Sequence, residues 1–597
     1  MTDFYIAKSD GSSPGGVTGS DSNDGLTPST PKATLNAILQ ISGDDDTDGD
    51  NIFFYGGTYT DTDLNSGNNT NQVVSISDTN KRQHSLIAYL DQEVIFRRGG
   101  ASDVLFLIRC FNTTDSPQDD FKISGIKFTD SDTSIGAGKL TRGVLAFYED
   151  NPTSSATPTI TIENCTFEFS ATTMTTALIS MDDSGAADGN ESPIIINNCT
   201  FTLTGSDPDD CILKNTVMFS DTSSVTFTNN TVTVTHTGSG DVGDPLLDLG
   251  TILTSSNVTV DVDTGGSVTI ANNTFNVTSG SNDEDWEVIK CSGTKNISIT
   301  NNSFDIKQTD TSDGRMMAIQ IDPDPGTGTY SGAPVVHTAL IAENNIKLDE
   351  FLAYGIFMSA DAAYSELSSC KIIGNKIIGV ADLNTSSADG TGILCRRLNN
   401  LTVERNIVRN NYDGILVSIC TNPVVTDNIL EAIGDDGDNE FDAVALFLSS
   451  GSGGTIKRNK FIHDFGSNRD AGACSLRIDS QAGFTCSDNT FITKLPAASS
   501  TGYRYFRANN LSGVNNSVFG GTSTASTFSG NVYINTANTG SSTDVAKIGS
   551  DDDVTLTVYK ASADPTAKYD PAMLTQNLSK GLSKSFLTEE VINIREF

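Results

Sequence analysis

Positive charge is scarce in this chain. Its 597 residues include 37 Lys and Arg against 75 Asp and Glu, a formal net charge of −38. Binding phosphate backbones requires clustered Lys and Arg, so nucleic acid and anionic membranes are excluded as partners, and the acidity suits a solvated surface. Long apolar runs are missing as well. None approaches the roughly 20 residues of a membrane span, so no membrane insertion is expected. Met1-Thr2-Asp3-Phe4 has neither the basic nor the apolar stretch of a secretory signal. The ten Cys are scattered without a C-x-x-C pair; they read as buried thiols rather than a disulfide framework. The four His (His84, His236, His337, His463) share no metal spacing. Of these, only His463 lies in the basic zone identified below. Trp286 is the sole Trp, a core side chain or a sugar platform in an inserted loop. Helix-length amphipathic stretches are also absent, which removes leucine-rich and other helix-bearing repeats.

What is present is a short recurring pattern. Ala271–Val277 reads Ala-Asn-Asn-Thr-Phe-Asn-Val and Thr300–Ile306 reads Thr-Asn-Asn-Ser-Phe-Asp-Ile. Two residues before a central apolar position an Asn or Cys returns at Cys165, Cys199, Asn230, Asn273, Asn302, Asn344, Asn375, Asn406, Asn428, Asn459, Asn489 and Asn516. From Asn344 to Asn489 the intervals are 31, 31, 22, 31 and 30 residues. Each period carries two or three short runs rich in Val, Ile, Thr and Phe, alternating with period two and broken by Gly, Asn, Asp and Ser. A fixed period of this length built from strands predicts a stacked β-coil, each strand paired in parallel with its equivalent one turn later, roughly 4.8 Å away. Asn fits a tight corner because it tolerates left-handed φ. Stacked once per coil, its amide can donate to one neighbour and accept from the other.

The N-terminal residues set the start of this coil. Phe4-Tyr5-Ile6-Ala7 reads as a strand. Gly19-Ser20-Asp21-Ser22-Asn23-Asp24-Gly25 reads as a loop, and Pro31–Leu39 as a short amphipathic helix with Leu35, Ile38 and Leu39 on one face. Such a helix would plug the open core of a first coil. A strand then turns on Gly56-Gly57-Thr58-Tyr59. The order G-S-D-S-N-D-G, then P-x-x-T-L-x-A, then a strand ending in G-G-T-Y resembles the start of right-handed parallel β-helix proteins of the pectate-lyase-like superfamily. The Asn-x-Phe coils resemble their repeats. The resemblance implies an all-β right-handed parallel β-helix solenoid with a short N-terminal capping helix and a small β-rich C-terminal region. It implies no single chemistry, since polysaccharide lyases, glycosidases, epimerases, bacteriophage tailspikes and catalytically silent virion proteins share the fold.

Three regions are expected: residues 1–60, the N-terminal cap and lead-in; 61–510, the parallel β-helix; and 511–597, a β-rich C-terminal region ending in an apolar tail with Leu574, Leu578, Leu582, Val591, Ile592 and Ile594. That tail asks for a partner surface: the last coil, a trimer or another virion protein. In the coils of residues 350–510 a strand recurs as Gly355-Ile356-Phe357, Gly392-Ile393-Leu394, Gly414-Ile415-Leu416 and Ala443-Val444-Ala445.

Candidate chemistry follows the uneven spread of basic residues. Residues 151–290 contain only Lys214 and Lys290, whereas 371–510 contain fourteen Lys and Arg, among them Arg396, Arg397, Arg405, Arg409, Arg458, Arg477, Arg504 and Arg507, joined by Tyr412, Tyr503, Tyr505 and Phe506. Guanidinium forks and aromatic rings suit an anionic sugar chain; the bland alternative is that the Arg residues balance nearby carboxylates. The candidate carbohydrate-binding residues are Arg396, Arg397, Arg409, Tyr412, Asp413 and Asp442. Carboxylates one coil apart would approach the retaining-glycosidase separation, and two coils apart the inverting one. Asp413 and Asp442 both precede a Gly-Ile-type strand and would stack; counting seven from the ladder instead aligns Asp382, Asp413 and Asp435. Catalytic residues stay unassigned. Asp44–Asp50 matches the first half of a calcium loop, but Tyr55 occupies the place of the closing Glu, so no metal or other cofactor is expected, with calcium left open. Gly11-Ser12-Ser13-Pro14-Gly15 fits G-x-S-x-G without the strand and His that the motif needs.

These observations suit a phage virion surface protein: a tailspike, fibre or capsid-decorating appendage. It would meet host surface polysaccharide and other virion proteins, and it would be a homotrimer by resemblance to tailspikes. Tailspikes usually begin with an anchoring domain, and here the coil begins near Met1, so attachment would fall to the C-terminal tail, or the role would be decorative rather than tail-borne. The alternatives are a polysaccharide lyase or glycosidase acting through the Arg396–Arg507 face, and an extracellular bacterial β-helix.

Overall fold

A computed structural model describes residues 2–39, 50–64, 84–97, 120–129, 144–149, 159–170, 177–183, 192–205, 212–215, 218, 223–236, 245–250, 259–261, 266–280, 286–308, 315–322, 329–331, 338–349, 353–360, 369–379, 390–411, 413–432, 444–464, 474–479, 483–494, 504–509, 527–529, 531–535, 545–548, 552–555 and 558–560. The chain winds through three long sheets in turn. The first has sixteen strands from Asp3–Ile6 to Thr527–Ser529, the second sixteen from Gly57–Tyr59 to Val558–Lys560, and the third fourteen from Leu145–Glu149 to Asp552–Thr555. Neighbours in each sheet pair in parallel, as in Thr231–His236 on Thr200–Gly205, except Val545–Ile548 with Asp552–Thr555, which is antiparallel. This is the right-handed parallel β-helix that the repeats predict, and at roughly 4.8 Å per coil sixteen strands make a rod roughly 70 Å long.

The corner between the first and second sheets fixes the register. It consists of two residues: one with positive φ, then the ladder residue. The positive-φ place is filled by Asn164, Asn198, Asn229, Asn272 and Asn301 in the earlier coils and by Glu343, Gly374, Arg405, Asp427, Arg458 and Asp488 later. The left-handed conformation therefore falls one residue before the ladder, not on it as the sequence suggests. The ladder Asn side chains are buried and bond along the axis. Asn375 Oδ1 accepts from the backbone N–H (3.0 Å) and Nδ2 (2.9 Å) of Asn344, and Asn375 Nδ2 donates to Ile341 O and to Asn406 Oδ1. Asn489 makes the same bonds to Asn531. The next rung is thus Asn531, 42 residues on, rather than the predicted Asn516, which lies outside the described residues. Cys165 and Cys199 hold the first rungs, where their thiols donate to Ile123 O and Ile162 O.

Inside the corner the apolar column stacks face to face. Phe167 lies 4.8 Å from Phe201, Phe275 4.9 Å from Phe304, and Phe461 4.6 Å from Phe491. Val232 interrupts this column between Phe201 and Phe275. Phe227 from the first sheet fills the space, stacking on Phe201 at 5.8 Å and Phe275 at 6.3 Å. Trp286 is buried in the third sheet, which removes its reading as a sugar platform. All seven described Cys with free thiols are buried.

The N-terminal end is capped as the sequence implies. The helix Leu35–Leu39 buries Leu35 and Ile38. Thr34 Oγ1 accepts from the Ala37 N–H at its N-terminus. Residues 25–32 cover the free edge of the first strand through Tyr5 N–H to Gly25 O and Lys32 N–H to Tyr5 O, satisfying groups that would otherwise template pairing. At the other end the sheets run on past residue 510: Thr527–Ser529 pairs with Thr485–Ser487 and Val532–Asn535 with Thr490–Lys494.

Candidate functional site

The basic residues that the sequence groups together are divided among the faces of the rod. Arg405 and Arg458 occupy the positive-φ corner. There Arg458 forks onto Asp427, Nε to Oδ1 at 2.7 Å and Nη2 to Oδ2 at 2.5 Å. That hydrogen bonding, the main cause, raises the guanidinium pKa against partial burial. Arg409 lies on the second sheet, its Nε 3.3 Å from Glu431 Oε2. These residues balance carboxylates. Arg396 ends the third-sheet strand Thr391–Arg396, Arg397 follows it at the corner with φ 58°, and Asp413 begins the third-sheet strand Asp413–Ser418. Tyr412 and Asp442 lie outside the described residues, as do Asp382 and Asp435. Arg396 and Asp413 therefore belong to the third sheet, Arg397 to the corner at its edge, and Arg409 to the second sheet.

The register of the third sheet also corrects the proposed carboxylate stack. Ile415 pairs with Leu446, and the Val444 N–H donates to Asp413 Oδ1. Val444, not Asp442, stands beside Asp413, and the fourth repeat of the Gly-Ile strand is Ala445-Leu446-Phe447, two residues later than the sequence suggests. Gly355, Gly392, Gly414 and Ala445 form a column of small residues because the coils approach closely there: a Cβ on Gly392 would lie 2.2 Å from Val408 Cγ1 and 2.7 Å from Gly414 O.

On the outer face of the same strands an apolar row follows the axis. Phe357, Leu394, Leu416 and Phe447 are register partners on successive coils, and Arg477 comes next. All five are half-buried. The Arg477 guanidinium lies over the Phe447 ring at 4.7 Å, and Tyr354 meets Phe357 edge-on at 5.7 Å. Beside the row run Ser359, Arg396, Ser418 and Ser449, with Ile419 beyond them, 41% exposed at φ 56°. A β-branched side chain in that conformation is strained. The face thus offers flat apolar surface with guanidinium groups at its edge and end.

Nearer the N-terminus the outer row of the third sheet turns ionic. Lys214, Asp248, Lys290 and Gln320 are successive register partners. Asp248 is 5% and Glu287 6% exposed, and Lys290 Nζ lies 3.6 Å from Glu287 Oε1. Burial first, and then the Asp248 charge, drives the Cys291 thiol pKa far up. The sequence gives no sign of this cluster, because Lys214, Asp248 and Lys290 are brought side by side only by the register of the third sheet. Among the described residues no group of three or more His, Cys, Asp and Glu is placed to hold a metal ion. Asp50, the last residue of the acidic run, is buried, accepting from the Thr2 N–H and lying 3.9 Å from His84 Nδ1. Among the described residues no helix is long and apolar enough to cross a membrane.

No family model and no curated protein sequence matches the chain. Among solved structures it is similar to PfbA, a surface adhesin of Streptococcus pneumoniae, at 15% identity and a TM-score of 0.42, over 67% of this chain and 87% of that one. It is also similar to the GH136 lacto-N-biosidase of Eubacterium ramulus, at 12% and 0.26 over 85% and 67%, and to the periplasmic alginate epimerase AlgG, at 12% and 0.22 over 72% and 85%. Likenesses this distant do not speak to what the chain binds.

Proposed function

We propose that this protein is a virion surface β-helix that holds host surface polysaccharide along the outer face of its third sheet. The observation that carries the reading is the row Phe357, Leu394, Leu416 and Phe447 with Arg396 beside it and Arg477 stacked at its end. Sugar rings present flat apolar faces that pack on such a row, and guanidinium groups fork onto uronate carboxylates. A net charge of −38 makes a face that carries Arg residues on several coils unusual, and it opposes nucleic acid as the ligand. A virion role, with other virion proteins as partners and a homotrimer as the working unit, rests on the resemblance to tailspikes. Two measurements test this reading. Purified protein should bind one or more acidic exopolysaccharides in a panel, and microscopy of purified particles should place it on their surface. Absence of binding to every glycan together with absence from particles rejects it.

A second reading has its own observation. The buried carboxylates Asp248 and Glu287 lie on the same outer face, farther along the axis, with Lys290 the register partner of Asp248 and 3.6 Å from Glu287. A polysaccharide-cleaving enzyme would place its proton-transfer groups in such a setting. Release of reducing ends, or unsaturated-uronate absorbance, from the bound glycan supports this reading; an intact glycan after long incubation rejects it.

A further inference from the structure

The capped end of the rod carries apolar surface that neither reading uses. On the outer face of the first sheet Tyr5 and Phe53 are register partners and stack at 5.5 Å. Tyr89 packs edge-on against both, at 5.6 and 6.2 Å, and lies 4.6 Å from Tyr55. Leu90, next in the chain, is 72% exposed with φ 50° and ψ 45°, and Asp91 follows at φ 56°. Two consecutive left-handed residues, neither of them Gly or Asn, are costly, and their effect is to hold a leucine out in solvent. Leu26, 48% exposed, adjoins Gly25, whose carbonyl accepts the Tyr5 N–H. These two are half of the four large apolar side chains exposed among the described residues. Asp3, Asp24 and Asp91 are exposed around the cluster. Burial, then the Asp3 charge, raises the Tyr5 pKa. An aromatic cluster flanked by exposed leucines is the composition of a protein-binding surface.

The chain contains a segment of matching chemistry. Residues 571–588 contain no Asp or Glu, carry Lys580 and Lys584, and space Leu574, Leu578, Leu582 and Phe586 four residues apart. Its basic and apolar character complements the acidic rim and aromatic centre of the cluster. Reach decides which copy supplies it. The last described strand, Val558–Lys560, closes the second sheet at the end opposite the cluster, roughly 70 Å away at the spacing of paired strands. From Lys560 to Leu574 the chain spans at most about 50 Å fully extended. Leu574 and Leu578 therefore fall short of their own cluster, whereas the neighbour that follows end to end presents one within reach of the whole segment. We propose that the Tyr5, Phe53, Tyr89 and Leu90 surface docks residues 574–586 of a second copy, joining rods head to tail.

The test uses the full chain. In sedimentation velocity the protein should form species that grow with concentration, seen in the electron microscope as rods joined end to end. Leu90→Asp and Leu578→Asp should each weaken association by at least about tenfold, with circular dichroism unchanged. An equimolar mixture of the two should recover a single junction, because L90D supplies an intact tail and L578D an intact cluster, so 1:1 pairs form. Association that ignores both substitutions, a unit whose size does not change with concentration, or a mixture that stays unpaired would overturn the proposal.

Discussion

Replacing Asn375 by Ala tests the ladder where it is most regular. The side chain is fully buried and accepts from both the backbone N–H and Nδ2 of Asn344, while donating to Ile341 O and Asn406 Oδ1. Ala leaves two buried donors of Asn344 without their acceptor. Each such orphan costs about 1–3 kcal/mol, so the coil should lose about 3–4 kcal/mol locally. A solenoid of this length is not expected to unfold in one step, so a global melting curve would blur the effect. Native-state amide exchange resolves it. About 3–4 kcal/mol corresponds to a loss of about 100- to 1,000-fold in protection at the Asn344 amide, since about 1.4 kcal/mol is tenfold. Thr233→Ala, on the outer face of the second sheet, should change protection less than about threefold. If Asn375→Ala folds and the Asn344 amide keeps its protection within about fivefold, the axial bonds are not what holds the register.

Gly392→Ala should abolish soluble expression or cost about 3 kcal/mol or more in denaturant, because its Cβ would meet a backbone carbonyl that cannot yield. Thr34→Ala should cost about 1 kcal/mol through loss of the helix cap, read as earlier proteolysis of residues 1–40. Burial pushes the Cys370 thiol up to about 12 and the Cys420 thiol up to about 11. An unfolded thiol ionises near about 8.5, so the folded state keeps its proton longer. The stability this contributes is whole below about 8.5 and is lost as the pH rises through about 11 to 12. Cys420→Ala should flatten the fall in thermal stability between pH 9 and 11, and at pH 8 a thiol reagent should reach Cys370, Cys395 and Cys420 only after unfolding.

The rod was legible because its determinants are local and repeat. An Asn placed two residues before an apolar one marks each corner, and strand alternation fixes which side faces inward. What the sequence could not supply is the position of a residue around the axis. Arg405, Arg409 and Arg396 are close in sequence yet fall on a corner, the second sheet and the third sheet, because a coil turns through all three within about thirty residues. Uneven coil lengths caused the other departures. The rung after Asn489 comes 42 residues on, at Asn531 rather than Asn516, and the register Ile415 on Leu446 places Val444 beside Asp413. The recurring Gly-Ile strand already lines up Phe357, Leu394 and Leu416 in the sequence; Phe447 joins the row only through the register of the third sheet, two residues away from the repeat expected there.

The functional claim is about one face, and a matched pair of substitutions addresses it directly. Binding of the best acidic exopolysaccharide would be measured by calorimetry for the unaltered protein, for Phe447→Ala on the third sheet and for Arg409→Ala on the second. The account predicts that Phe447→Ala weakens binding by at least about tenfold, since it removes a platform and the support for Arg477, while Arg409→Ala stays within about twofold. Equal affinities for all three proteins, or a loss confined to Arg409→Ala, would contradict it.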